Sequence, residues 1–222
     1  MSRCLICDQA TDAKFGWTAL FQLEKEKRVC DKCEERFEKI TGQTCRVCFR
    51  PGSGLCEDCV RWEEHKLQAT LTRNVSLYRY NDFMKEVLAR YKFRGDVVLA
   101  EVFQQEMKRL FHHYYEKQNP LIVPIPLSEE RLFERGFNQA ELLFGGKVAY
   151  ALKRNASEKQ SKKSRQERLQ SANVFQLNGD VKGESIVLID DIYTTGMTLR
   201  MAAKVLKNGG AKEVNSLTLI RS

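Results

Sequence analysis

Apolar and polar positions change period several times along the chain, and each change marks an element. From Val75 to Tyr80 the side chains alternate, which predicts a strand. The next segment, DFMKEVLARYKF, places Met84, Val87, Leu88 and Tyr91 on one helical face, and Gly95 is its expected stop. A longer helical stripe runs from about Asp96 to Lys117 through Leu99, Val102, Phe103, Met107, Leu110, Phe111 and Tyr114. His112 and His113 sit beside it with no ligand partner at useful spacing and read as ordinary helix residues. Leu121 to Pro126 predicts a short buried strand, and a helix is expected from near Asn138 towards Leu152, weakened by Gly145 and Gly146. Val174 to Leu177 reads as a short strand and Ser185 to Ile189 as a fully buried one. A helix from Thr198 to Asn208, stopped by Gly209 and Gly210, precedes a last strand from Val214 to Ile220. Strands alternating with helices predict an α/β fold, a largely parallel sheet with helices on both faces.

The first third of the chain follows a different rule. All eight cysteines lie between Cys4 and Cys59, in four Cys-x-x-Cys pairs: Cys4/Cys7, Cys30/Cys33, Cys45/Cys48 and Cys56/Cys59. Nothing routes the chain to an oxidising compartment, so disulfides are disfavoured. Thiolates two residues apart bite one tetrahedral ion, and four pairs supply two closed Zn(Cys)₄ sites. Sequential use of the pairs leaves 22 residues between the pairs of the first site and seven between those of the second. A cross-braced arrangement, first pair with third, is the alternative. Closed four-sulfur sites have no open coordination position, so these zinc ions are expected to be structural. The sequence therefore divides into a Cys-rich double zinc ribbon at 1–62 and an α/β domain at 63–222, joined through the partly helical VRWEEHKLQATLTR.

With 222 residues, 42% hydrophobic and 30% charged, the chain can build a packed core. No apolar run approaches the roughly 18 residues of a membrane span, and no signal-peptide stretch opens the chain. A soluble cytoplasmic protein without membrane insertion is the expectation. The formal charge of +8 falls to about +4 once eight thiolates and two Zn²⁺ are counted, so overall basicity argues only weakly for nucleic acid. Its distribution says more: seven basic residues lie between Lys153 and Arg168, in a segment that reads as a basic loop.

The chemistry concentrates in Val187-Leu-Ile-Asp-Asp-Ile-Tyr-Thr-Thr-Gly-Met-Thr198. An apolar strand delivers Asp190 and Asp191 to the end of a parallel sheet where ligands of open α/β folds bind. Thr194, Thr195, Gly196, Met197 and Thr198 follow and lead into a helix, a turn whose N–H groups and hydroxyls can converge on one anion. Carboxylates accept hydrogen bonds from a sugar diol but repel a phosphate. A cradle beside an acidic pair therefore suits a ligand with hydroxyls at one end and a phosphate at the other, such as a 5-phosphorylated ribose.

This stretch closely resembles the phosphoribosyl-pyrophosphate (PRPP) signature of type I phosphoribosyltransferases. The resemblance implies that Asp190 and Asp191 bind the ribose 2′- and 3′-hydroxyls and that Thr194 to Thr198 bind the 5-phosphate. Around it, the double zinc ribbon, Lys92-Phe-Arg-Gly-Asp96, Val123-Pro-Ile-Pro-Leu127, Arg135-Gly-Phe-Asn-Gln-Ala140 and the basic loop with Gln160, Lys163, Arg165 and Arg168 together resemble the ComF/GntX family. That resemblance implies a type I phosphoribosyltransferase-like sheet, PRPP or another phosphoribose as ligand with Mg²⁺, and a part in natural transformation. The partners it implies are single-stranded DNA, a competence helicase and the DNA-import machinery, reached at the inner face of the membrane.

Candidates for the pyrophosphate or for DNA are Arg131 and Arg135 after the Pro-Ile-Pro-Leu segment, with Lys162, Lys163 and Arg165 in the loop as a lid. No catalytic residue and no acceptor pocket is legible. Two classes of function stay open: a PRPP-binding protein that assists uptake of single-stranded DNA, and an active phosphoribosyltransferase on an unidentified acceptor. Trp17, Phe49, Trp62, Tyr91, Phe93 and Phe137 lie near basic residues and are the aromatic candidates for stacking on bases.

Overall fold

Ser185-Ile-Val-Leu-Ile, apolar on both faces, becomes the middle of a four-stranded parallel sheet. The computed structural model describes residues 3–11, 28–65, 67–155 and 174–222. The strands are β1 (Asn74–Arg79), β2 (Leu121–Pro124), β3 (Leu152–Arg154), β4 (Phe175–Leu177), β5 (Ser185–Tyr193) and β6 (Glu213–Arg221). The main sheet has the order β1-β6-β5-β2 with all pairs parallel, and β3 and β4 form a separate antiparallel pair. Parallel strands are covered on both faces, and Ile186, Val187, Leu188 and Ile189 are accordingly buried.

The helices are α1 (Asp31–Glu34), α2 (Glu57–Glu63), α3 (Asp82–Phe93), α4 (Ala100–Tyr115), α5 (Glu129–Arg135), α6 (Gln139–Phe144) and α7 (Met197–Asn208). Side chains of α3, α4 and α6 pack with Val187, Ile189, Leu217 and Leu219 on one face of the sheet. Those of α7 and the β3–β4 pair pack with Ile186, Leu188 and Val214 on the other. Asn81 caps α3, its side chain accepting from the Met84 N–H at 2.8 Å, and Phe83, Met84, Val87, Leu88 and Tyr91 form the buried stripe.

The cysteine modules are part of this core. Cys4, Ile6, Val29 and Cys33 join the α3–α4 face, whereas Cys45, Cys48 and Cys59 join the α7 face. The chain between the modules also closes the sheet edge. Ile40 N–H donates to the Leu77 carbonyl at 3.0 Å, and Arg79 N–H to the Glu38 carbonyl at 2.8 Å, which occupies the free side of β1.

Two expectations need correction. The helix expected from Asn138 towards Leu152 ends at Phe144. Gly145 turns left-handed there (φ +59°), and a side chain at that position would run into Gln104. The chain then runs into β3, so Lys153 and Arg154 belong to a strand and not to the basic loop. The second is α5, for which no helix was expected. It buries none of its residues, so it shows no apolar stripe to read. Its cap Ser128, which accepts from the Arg131 N–H at 3.4 Å, is its local signal. The remaining loop residues, among them Lys162, Lys163, Arg165 and Arg168, and also Trp17, lie outside the described residues.

Candidate functional site

β5 carries its acidic pair further than the apolar run suggests. Asp190, Ile192 and Tyr193 keep ladder partners in Thr218, Ile220 and Arg221, so the strand runs on to Tyr193. Asp190 and Asp191 thus sit on a regular strand with fixed directions. The Asp191 N–H donates to Oδ1 of Asp190 at 2.9 Å, and the buried Asp191 carboxylate pairs through Oδ2 with the ammonium of Lys92. Lys92 comes from the last turn of α3 and is itself mostly buried.

Two shifted groups face each other here. Burial pushes the Asp190 carboxyl up to about 7, against the opposing pull of Lys92 and Arg154. Burial also pulls Lys92 down to about 8, opposed by Asp190 and reinforced by the charges of Arg135 and Arg131. The charges of Lys92 and Arg154 thus reach Asp190, and those of Arg131 and Arg135 reach Lys92, so α3, α5 and β3 together make this end of β5 cationic. Arg135 is held by Gln139, donating to its Oε1 at 2.8 Å, and lies over the Phe93 ring at 5.5 Å. The arrangement brings the expected Arg131 and Arg135 within electrostatic reach of Lys92, which pairs with the expected Asp191. It adds Lys92 and Arg154, which sequence reasoning did not place at the site. Lys92 opens a quoted motif, but no local pattern shows which way a lysine at a helix end will point.

The raised Asp190 has a testable consequence for stability. Its folded pKa of about 7 exceeds the ordinary carboxylate value of 3.8, so the ligand-free fold loses stability as pH rises from about 4 through about 7. Asp190→Asn should therefore stabilise the ligand-free protein by roughly 1–3 kcal/mol at pH 8, a Tm gain of a few degrees. The gain should shrink towards zero at pH 4 to 5. Thermal melts of both proteins at pH 5 and pH 8 check this; an equal Tm difference at the two values would refute it.

Directly after β5, Thr194, Thr195, Met197 and Thr198 are exposed while Gly196 is buried. Gly196 adopts φ +80°, and a Cβ there would collide with the Tyr193 hydroxyl beneath it. As the N-cap of α7 it supplies no side-chain hydrogen bond, and the Thr195 hydroxyl accepts from the Met197 N–H at 3.3 Å instead.

Both cysteine modules are assembled. The sulfurs of Cys4, Cys7, Cys30 and Cys33 lie within 4.8 Å of one another, as do those of Cys45, Cys48, Cys56 and Cys59. The pairing is sequential. Sγ–Sγ distances of 3.6 Å (Cys7–Cys30) and 3.4 Å (Cys48–Cys56) compare with about 3.8 Å for the edge of a tetrahedron with metal–sulfur bonds of about 2.3 Å. The Cys56 N–H points at Cys45 Sγ at 3.4 Å, a contact that supports a thiolate. Each set fits one tetrahedral ion.

A family model described as a phosphoribosyl transferase domain matches residues 100–222, which contain β5, the loop and α7. Over 227 aligned residues the chain is 44% identical to competence protein ComFC of Bacillus subtilis, covering 99% of this chain and 95% of that protein. The chain belongs to the ComF family. It is also 34% identical to competence protein ComFC of Streptococcus pneumoniae, covering 99% of this chain and all of that one. To competence protein F of Haemophilus influenzae it is 23% identical, covering 87% of this chain and 90% of that protein. Both ComFC likenesses cover 99% of the chain, so they extend over the cysteine modules as well as the matched transferase domain.

Proposed function

We propose that this ComF-family chain binds PRPP or a related phosphoribose at the end of β5 and serves the uptake of single-stranded DNA in natural transformation. The observation that carries the reading is the Asp190–Asp191 pair, with buried Asp191 held by Lys92 and cationic side chains of α5 and β3 within reach, followed at once by the exposed Thr194, Thr195, Met197 and Thr198. The two carboxylates would accept the ribose hydroxyls. The loop N–H groups and threonine hydroxyls would take the 5-phosphate at the start of α7. Lys92, Arg131 and Arg135 would receive the pyrophosphate, with Mg²⁺ entering as its counter-ion. The lid role of Lys162, Lys163 and Arg165 remains part of the proposal.

Zinc is the ion proposed for both four-sulfur sites, since closed tetrahedral thiolate sets suit it and leave it structural. The proposed division is a double zinc ribbon over 1–62 and a phosphoribosyltransferase-like domain over 63–222. No helix among the described residues is long and apolar enough to cross a membrane. The proposed place of action is the cytoplasmic face, with the competence helicase and import machinery as partners. The competence role is supported by the relatives' printed names. Calorimetric titration of PRPP with Mg²⁺ into metal-loaded protein tests the ligand; absence of binding would sink the reading.

For DNA, the geometry narrows the aromatic candidates. Phe49 and Tyr91 are buried, Phe137 packs on Tyr91, and Trp62 is engaged elsewhere. Phe93 is 76% exposed beside Arg135, and Phe133 on α5, which sequence reasoning did not single out, is 91% exposed. A base stacked on an aromatic ring is worth roughly 1–3 kcal/mol. Phe93→Ala combined with Phe133→Ala should weaken oligothymidine binding at least about tenfold in fluorescence anisotropy, with PRPP binding retained. Unchanged DNA affinity would move the interface away from this side.

A further inference from the structure

The loop Thr194–Thr198 is held from behind by the second cysteine module. Arg221, at the end of β6 and only 3% exposed, donates to the carbonyls of Tyr193 at 3.3 Å and Thr194 at 3.1 Å. The other arm of the same guanidinium reaches Cys48 Sγ at 3.5 Å and Asp58 at 3.7 Å. Trp62, on the helix that carries Cys59, donates its indole N–H to the Thr195 carbonyl at 3.0 Å. Its ring lies 4.5 Å from the guanidinium of the buried Arg200 on α7. Three successive carbonyls are thus fixed by two side chains rooted in, or bonded to, the module of Cys45, Cys48, Cys56 and Cys59.

A trans peptide points its carbonyl and the following N–H in opposite directions. Holding the carbonyls of residues 193–195 towards the module therefore turns the N–H groups of Thr194, Thr195 and Gly196 to the far side. That is the side on which a phosphate would sit. We propose that Trp62 and Arg221 are positioning residues for the phosphate loop and that they link it to the second four-cysteine site: an ion there holds the loop in its binding shape, and a phosphate on the loop holds the ion. The inference rests on the phosphate-loop reading above for its ligand but not for its geometry. Linkage of this kind is reciprocal.

Trp62→Phe keeps the ring and removes only the donor. Arg221→Lys keeps the charge and removes the fork that spans loop and sulfur. In metal-loaded protein, both variants should exchange the amides of residues 194–197 about five- to tenfold faster than the parent, with β5 and β6 protected as before. Unaltered exchange in Trp62→Phe, the gentler variant, would overturn the brace whether or not any ligand binds. The probe for the ligand arm is ribose 5-phosphate. It should bind Trp62→Phe about five- to tenfold more weakly. In the parent protein it should slow chelator extraction of the ion from the second site but not from the first. In Trp62→Phe the slowing should disappear. Ligand binding with no effect on extraction would overturn the linkage. If the parent binds no ribose 5-phosphate while exchange responds as expected, the functional reading fails and the brace stands.

Discussion

Replacing Asp190 and Asp191 together by alanine should abolish measurable PRPP binding and, in a naturally competent host, transformation. Each carboxylate that accepts a ribose hydroxyl contributes a charge-assisted hydrogen bond of about 1.5–3 kcal/mol, so losing both should weaken binding by 100-fold or more. The removal also changes what remains. Lys92 would stay buried beside the charges of Arg131 and Arg135 without its counter-charge, and its proton affinity, already pulled down to about 8, should fall further. The double variant with Lys92→Met removes that charge and separates loss of ligand contacts from loss of structure. If the triple variant melts like the parent and still fails to bind, the loss reports missing ligand contacts and not unfolding; Lys92→Met alone, which should bind PRPP more tightly than the triple variant, then isolates the share of the acidic pair. PRPP binding by the double variant at parental affinity would place the ligand elsewhere, and full transformation by it would remove the pocket from the biological role.

What the sequence made legible followed from period and spacing. α3 matches its expected span because five buried residues fall on one stripe, and β5 and β6 announce themselves because both of their faces are covered. The four-cysteine sites were legible because four Cys-x-x-Cys pairs, with nothing routing the chain to an oxidising compartment, supply two tetrahedral ligand sets. Their sequential pairing needed the fold. α5 was not legible, because a helix with no buried residue carries no apolar period, although it delivers Arg131 and Arg135. The over-long helix from Asn138 failed because the left-handed turn at Gly145 outweighs the helix propensity of the residues beyond it. Lys92, Arg154, Trp62 and Arg221 share a different reason. Each reaches the site from a distant element, and only the packing of α3, β3, α2 and β6 around the end of β5 decides that they meet there.

Loss of metal should be the most damaging single change to the fold, and unequal between the two sites. Structural thiolate sites bind with an apparent 10–16 kcal/mol, comparable to or larger than the whole stability of a domain. In the first site Cys4 and Cys33 are buried, but Cys7 is exposed and Cys30 half-buried, so water can reach two of the four thiols once the ion leaves. In the second, Cys45, Cys48 and Cys59 are all buried against the face of the sheet that holds Ile186, Leu188 and α7. Emptying it would leave thiols in the core and release the grip of Arg221 on Cys48. Cys4→Ser with Cys7→Ser should therefore yield protein with one metal equivalent and a Tm lowered by several degrees. Cys45→Ser with Cys48→Ser should yield protein that does not fold cooperatively. Metal content by atomic absorption with calorimetric melts reads both. Loss of both ions on damage to Cys4 and Cys7 alone would contradict the sequential sites, and equal Tm losses would contradict the asymmetry. The asymmetry follows from placement: the first set is open to solvent at Cys7, whereas the second has three of its four cysteines buried and stands behind the loop that the ligand is proposed to use.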